Sequence, residues 1–377
     1  MKLIKQLLIW GLIIALSLGT SSSLARAESN SLSRSEVDSI PSFLDQAMRE
    51  FMVEEHIPNA VVTIVHNGDI LFSQGYGLAD IEQQKPVDPS HSLFRIGSTA
   101  KVFTWIAVMQ LVEEGKLDLD TDIREYIDFY IPSTIHGSNE TASPITLAHL
   151  MTHTPGFEDY PDQIFRLSPT EMPELDRYVR EHLPARIFPP GEVAAYSNYG
   201  TALAGYIVER VSGLSFEEYI EKHIFTPLEM NHSTFRQPVP EHLTEQLVQG
   251  YRYVENEFKK GEFEYTPVPA GGMSTTATDM ALFMLAYLQP EQAEEKRVLK
   301  QDTLRSMHLQ QFTHHPYLGG WLMALKKVAL MGIEPYSMVA GPCYLIQGCI
   351  SFLSINLDFL SLTAEPIIWY TQPYFKH

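Results

Sequence analysis

The stretch that most constrains the fold is Ala60-Val61-Val62-Thr63-Ile64-Val65-His66, then Asn67-Gly68, then Ile70-Leu71-Phe72-Ser73. β-Branched and aromatic residues suit a pleated, half-buried surface, and Asn-Gly supplies the positive φ angles of a two-residue hairpin turn. The two runs are therefore predicted to pair as antiparallel strands. Ahead of them, Ile40, Phe43, Leu44, Ala47, Phe51 and Met52 recur at helical spacing over 37–52, which predicts a helix laid over the sheet. A chain of 377 residues that starts in this way has room for one large mixed domain or two small ones.

After a polar loop over 83–92, Phe94-Arg95-Ile96-Gly97 leads into Ser98-Thr99-Ala100-Lys101, the only Ser-x-x-Lys in the chain, and an apolar helix is predicted over 98–114. Residues three apart share a helix face, so Ser98 and Lys101 would be neighbours. A serine becomes a nucleophile when something takes its proton, and an amine within hydrogen-bonding range can do so. Helix N-termini add unpaired N–H groups and a positive dipole end, which favour the alkoxide and the oxyanion formed by attack. The same four residues would also serve as a serine N-cap followed by an exposed lysine.

Beyond that helix the pattern changes. Over 121–240, helical stretches at 145–153, 199–212 and 216–223 are broken by Pro and Gly and read as a helical insertion. A further helix is predicted over 280–288, with Thr278 as N-cap and Asp279 in its first turn. Ser98 then lies where a sheet with flanking helices meets a helical lobe, and such crevices commonly bind small molecules. Tyr196-Ser197-Asn198, the only Tyr-x-Asn, precedes one of these helices. A phenol near a lysine ammonium loses its proton more readily and could relay it. Asn198 offers a donor and an acceptor to a substrate amide. A solvent-facing tyrosine and a helix-capping asparagine would give the same triplet.

The formal charge of −19, without any basic stripe, excludes nucleic acid as a partner. Lys2 and Lys5, the apolar run over 7–18 and Ala25-Arg26-Ala27 have the form of a cleaved secretory signal over 1–27, which predicts an extracytoplasmic or secreted domain with no other membrane contact. The two cysteines, Cys343 and Cys349, make no disulfide framework. His149 and His153 have the i, i+4 spacing of metal ligands but no evident third ligand, and His314-His315 is a weaker pair still, so neither a metal nor a cofactor is expected.

Taken in order, these segments resemble the serine β-lactamase and penicillin-recognising family, most closely its class C and D-alanyl-D-alanine carboxypeptidase branch. The resemblance rests on Ser98-Thr99-Ala100-Lys101 and Tyr196-Ser197-Asn198, on Ile145-Thr146-Leu147-Ala148-His149-Leu150-Met151-Thr152-His153-Thr154-Pro155-Gly156, on Ala270-Gly271-Gly272-Met273-Ser274-Thr275-Thr276-Ala277-Thr278-Asp279, and on Tyr317-Leu318-Gly319-Gly320-Trp321. It implies an α/β (α+β) fold of the β-lactamase/transpeptidase type, an antiparallel sheet flanked by helices with an inserted helical lobe, over 28–330. It also implies Ser98 as acylated nucleophile with its N–H as an oxyanion donor, Lys101 as proton partner, Tyr196 as proton relay and Asn198 as substrate ligand. His149 and His153 become structural. An ordinary lysine titrates near pH ~10.4, so whether Lys101 or Tyr196 is the base stays open.

The family's third motif, Lys/His-Ser/Thr/x-Gly on the strand bordering the site, has no counterpart after Trp321. Losing one oxyanion donor typically costs about 10²–10³ in rate. The segment 331–377 reads as devoid of edge-strand alternation, and either a divergent terminus, a membrane-associating stretch over 338–362 or a shifted reading frame near residue 330 accounts for it. In the last case the codons of Ser337-Met338-Val339-Ala340, read from their third bases, permit His-Gly-Gly, which the gene's nucleotides would confirm or exclude. The function expected is a secreted serine hydrolase acting on a small-molecule or peptidoglycan-type amide, β-lactam or ester. The alternatives are a non-catalytic binder that kept the cleft and an unrelated secreted binding domain.

Overall fold

The computed structural model describes residues 34–66 (backbone alone at 36), 68–138, 140–160, 164–288, 297–315 and 320–321, with the backbone of 326–327, 336–337 and 352–356. Helix α1 (Arg34–Glu54) precedes strands β1 (Asn59–His66) and β2 (Asp69–Asp80). These pair antiparallel, with Val65 opposite Ile70 and His66 opposite Asp69. Gly68 holds the positive φ of 86° that the turn demands.

Side chains of β1 alternate between two covered faces. Ala60, Val62 and Ile64 pack with Met48 and Met52 of α1. Val61 joins the main core, while Val65 meets Ala281 and Met284 of a later helix. A strand buried on both faces has no polar side to show, which is why its sequence reads as an almost unbroken apolar run. Strand β3 (Lys85–Pro86) extends the sheet beyond β2.

Strand β4 (Phe94–Arg95) leads into a 3-10 turn, Gly97–Ala100, and helix α2 (Lys101–Glu113). The helix expected over 98–114 thus begins with a tighter turn. Val102, Phe103, Trp105, Ile106, Ala107, Val108 and Leu111 are all buried, so α2 is enclosed on every side, as a helix apolar all round must be.

The helical lobe follows: α3 (Leu147–Met151), α4 (Leu175–Glu181), α5 (Asn198–Ser212) and α6 (Phe216–Ile220), the last continuing into a π turn at Glu221–Phe225. Helix α3 is shorter than expected over 145–153 because Thr146 and His149 close its start as a reciprocal capping box. Its end is closed by His153 N–H to Leu150 O and Thr154 N–H to His149 O. The Ser197 hydroxyl caps α5 by accepting the Gly200 N–H at 2.9 Å. Helix α5 then packs along α2, with α3, α4 and α6 around it.

A hairpin of β5 (Tyr251–Val254) and β6 (Glu257–Lys260) leads to α7 (Val268–Gly271), β7 (Ser274–Thr275) and α8 (Ala277–Leu288). Strand β7 pairs antiparallel with β4. Helix α8 packs on β1, but its cap differs from the expected Thr278: it starts at Ala277, and the Thr276 hydroxyl accepts the Asp279 N–H at 3.2 Å. Thr278 instead meets the Ser90 hydroxyl at 2.9 Å. The buried Asp279 carboxylate accepts from His232 N–H at 2.8 Å and Ser233 Oγ at 2.7 Å, which fixes the register of the helix start.

Strands β8 (Lys326–Lys327) and β9 (Tyr336–Ser337) form a short antiparallel pair. Strand β10 (Phe352–Asn356) lies parallel to β1, giving the sheet order β10-β1-β2-β3. The segment read as devoid of edge-strand alternation thus contributes a backbone pairing to the edge of β1, whose donors and acceptors suit any extended segment. The 1–27 signal, the two cysteines and positions 338–340 lie outside the described residues, while Ser337, the first of the four whose codons permit His-Gly-Gly, is described by its backbone in β9. Among the described residues no helix is long and apolar enough to cross a membrane.

Candidate active site

The 3-10 turn and the first turn of α2 do for Ser98 and Lys101 what their spacing suggests. Lys101 Nζ donates to Ser98 Oγ at 3.1 Å. No side chain caps this turn, so the Ser98 hydroxyl is not spent on the helix end and faces the lysine, while its N–H lies among the first-turn groups that lack a helical acceptor.

Two distant segments complete the surroundings of the amine. Asn198, at the start of α5, presents Oδ1 to Lys101 Nζ at 2.8 Å, and the Ala270 carbonyl of α7 accepts from it at 2.5 Å. An ammonium has three N–H donors, and these three acceptors match them. Only 4% of Lys101 is exposed, so the match replaces most of its hydration. Asn198, expected as a substrate ligand, has its oxygen turned to Lys101, which leaves its NH₂ group for other partners. The Ala270 contact has no sequence signal, because a backbone carbonyl carries no residue identity.

Tyr196 also comes to this centre. Lys101 Nζ lies 4.9 Å from the centroid of its ring. The loop that carries it is pinned at three points: Ala194 N–H donates to His314 Nε2 at 3.2 Å, Ala195 N–H to the His153 carbonyl at 2.8 Å, and Ser197 N–H to His153 Nδ1 at 3.2 Å. The His153 ring packs on Tyr196 with centroids 4.6 Å apart, and on Trp321 edge-on at 4.8 Å. Burial, followed by the nearby Lys101 charge, pushes the His153 imidazole down to about 3, so it is neutral, and the bond from Ser197 places its proton on Nε2.

The two histidines spaced as metal ligands thus do separate structural work. His149 Nδ1 accepts the Thr146 N–H at 3.1 Å at the start of α3, whereas His153 faces the Tyr196 loop. Among the described residues no three His, Cys, Asp or Glu side chains cluster as a metal site would need. Burial raises the Asp159 carboxyl, with the Lys101 charge pulling it the other way, so an acidic group lies within electrostatic reach of the centre.

All four residues singled out from sequence therefore meet: Ser98, Asn198 and the ring of Tyr196 surround Lys101. The arrangement joins a serine hydroxyl, an amine, a phenol and an amide at one place, the parts that acyl transfer needs.

Comparisons with known proteins agree in extent and fold. The chain is 27% identical over 283 residues to "Protein flp" of Staphylococcus aureus (strain MW2), covering 74% of this chain and 55% of that protein. It is 26% identical over 254 residues to a beta-lactamase of Yersinia enterocolitica, covering 67% of this chain and 60% of that one. The chain thus spans little more than half the length of these relatives. Among solved structures, the octameric penicillin-binding protein homologue from Pyrococcus abyssi superposes with a TM-score of 0.67 at 26% identity, over 78% of this chain and 67% of that chain. The sequence profile described as Beta-lactamase matches residues 44–341. With the fold and the Ser98–Lys101–Asn198 constellation in place, that match assigns this chain to the beta-lactamase family of serine hydrolases and penicillin-binding protein homologues.

Proposed function

We propose that the chain is an exported serine hydrolase that works through an acyl-enzyme on an amide, β-lactam or ester, of the D-Ala-D-Ala carboxypeptidase, β-lactamase or esterase kind. The observation that carries this reading is the Lys101 amine within hydrogen-bonding distance of both Ser98 Oγ and Asn198 Oδ1. Ser98 Oγ attacks the substrate carbonyl carbon and loses its proton to the Lys101–Tyr196 pair. The carbonyl oxygen takes up negative charge facing the Ser98 N–H, and the C–N or C–O bond breaks as the leaving group receives that proton. Water then attacks the ester on Ser98 and gives its proton to the same pair, which passes it to Oγ as the acyl C–Oγ bond breaks and the acid is released. Three acceptors around Lys101 support a charged lysine in the resting state, which favours Tyr196 as the group that moves the proton.

Export is supported by the sequence of 1–27 alone, and the domain is taken as 28–330. A second reading, a penicillin-binding-like protein inactive in turnover, is favoured by one observation: after Trp321 the chain has no Lys/His-Ser/Thr/x-Gly triplet to supply the second oxyanion donor.

Intact-mass spectrometry before and after exposure to a fluorophosphonate and a penicillin tests both. A single fluorophosphonate adduct that is lost in Ser98→Ala, together with a penicillin adduct that decays with release of product or turnover of a chromogenic ester, supports the hydrolase. A penicillin adduct that persists, with no turnover of a chromogenic ester, supports the inactive form. No adduct on folded protein, or one that survives Ser98→Ala, removes Ser98 from the chemistry.

A further inference from the structure

We propose that His153 is the positioning residue for Tyr196, and that it occupies its unusual backbone conformation to hold that phenol over Lys101. The kinetic consequence rests on the acyl-enzyme reading given above; the structural one does not.

Helix α3 ends in the two hydrogen bonds of a Schellman closure, Thr154 N–H to His149 O at 2.8 Å and His153 N–H to Leu150 O at 3.2 Å. The donor of the second of these bonds, the first residue past the helix end, must be left-handed, and the usual occupant is glycine, which pays no Cβ penalty. Here it is His153, at φ 56°. A bulky side chain kept in that region, and 3% exposed, signals that the side chain is needed where the backbone would accept glycine.

What the side chain does is visible in its contacts. The loop carrying Tyr196 is held on both sides of that residue by His153: the carbonyl takes the N–H of Ala195, and Nδ1 takes the N–H of Ser197. The imidazole then packs on the phenol ring, and Trp321 meets the imidazole edge-on while its own ring centroid lies 6.5 Å from that of Tyr196. Since Ser197 is also the cap of α5, the same bond sets where Asn198 begins the helix and meets Lys101. One residue therefore couples the end of α3 to both Tyr196 and Asn198. Because Nδ1 must stay an acceptor, a neutral ring is required, and the buried position secures it.

Two variants separate the side chain from the backbone. His153→Gly keeps the closure and removes both the acceptor and the ring. His153→Asn tolerates the left-handed conformation and sets its Oδ1 where Nδ1 lies, so it restores the acceptor without the ring. Circular dichroism first confirms that both fold. Amide hydrogen exchange at Ser197 should then rise at least tenfold in His153→Gly and return to within threefold of wild type in His153→Asn. Fluorophosphonate labelling of Ser98 should slow by about 10–100-fold in the glycine variant and recover in the asparagine variant, while with a chromogenic ester kcat falls and KM stays within threefold.

Unchanged Ser197 exchange in His153→Gly overturns the proposal, and so does a labelling rate equal to wild type. If wild type itself is not labelled, the acyl-enzyme reading fails, and the exchange measurement alone decides the role of His153.

Discussion

The Lys101 ammonium donates to the Ala270 carbonyl at 2.5 Å, across 169 positions of sequence, and so ties the first turn of α2 to α7. The same α7 is anchored one residue earlier, where the Pro269 carbonyl accepts the Thr104 hydroxyl at 2.8 Å. The amine is thus held by parts of the chain that move only if the core moves, and what depends on it can be measured.

Lys101→Met should keep the volume of the stem but leave Asn198 Oδ1 and the Ala270 carbonyl without their donor. A buried carbonyl left unsatisfied costs about 1–3 kcal/mol, while the half-buried Asn198 can turn to water, so unfolding in urea should show a loss of that order. Acylation of Ser98 should fall about 10²–10⁴-fold. Lys101→Arg should not rescue it, because a planar guanidinium cannot aim three donors at acceptors arranged around a point. Labelling at the wild-type rate in Lys101→Met would remove the lysine from the chemistry.

Tyr196→Phe keeps the ring against His153 and deletes only the hydroxyl. Turnover of an ester or β-lactam should drop about 10²–10⁴-fold with KM little changed, the pattern expected when an interaction made in the transition state is lost. Equal kcat values for the two proteins would leave Tyr196 as a packing residue.

Gly205 lies inside α5, where a Cβ would come within 2.3 Å of Pro269 Cγ and 2.6 Å of its Cβ. Gly205→Ala should therefore push α5 and α7 apart, at a cost of roughly 1–3 kcal/mol for overpacking even though alanine is the better helix former. Because Pro269 is next to Ala270, Ser98 labelling should slow as well. A thermal melt and a labelling time course check both, and a stabilised variant that labels normally would show that the contact is slack.

Glu209 accepts the Phe216 N–H at 2.8 Å, and burial, helped by Glu217, Asp176 and Glu174, raises its carboxyl to about 7. A carboxyl whose folded value lies above its unfolded one favours the folded state most when protonated. Stability from this group is full below about pH 4.5 and is lost as pH rises to about 7. Glu209→Gln keeps the acceptor and removes the charge. It should be more stable than wild type by about 1–2 kcal/mol at pH 8, after allowance for solvent screening, and the two should converge near pH 4.5. Parallel urea curves with the same gap at both pH values would contradict the assignment.

Several elements could be read from the chain because their causes are local. The Asn67-Gly68 turn forces β1 and β2 together, and Ser98 and Lys101 meet because three residues make about one turn of helix. The helix over 199–212 is legible from its own pattern, although the Ser197 hydroxyl, and not Asn198, is the group that caps it. Other features lay out of reach for an equally physical reason. Thr276 rather than Thr278 caps α8 because Asp279 is claimed by His232 and Ser233, which are remote in sequence. His153 in a glycine-like position could not be foreseen, since only the loop it receives, 195–197, makes that conformation worth its cost.

What the amino-acid sequence determined by itself was the set of parts: a hairpin, a buried helix starting at a serine and a lysine, a helix over 199–212 just after an asparagine, and ordered motifs that resemble one family. Tertiary structure decided how the parts meet. Whether Asn198 Oδ1 and the Ala270 carbonyl lie within 3 Å of Lys101 depends on how closely α5 and α7 approach α2. That closeness is set by packing between surfaces far apart in the chain, and close packing is a property of the folded core as a whole.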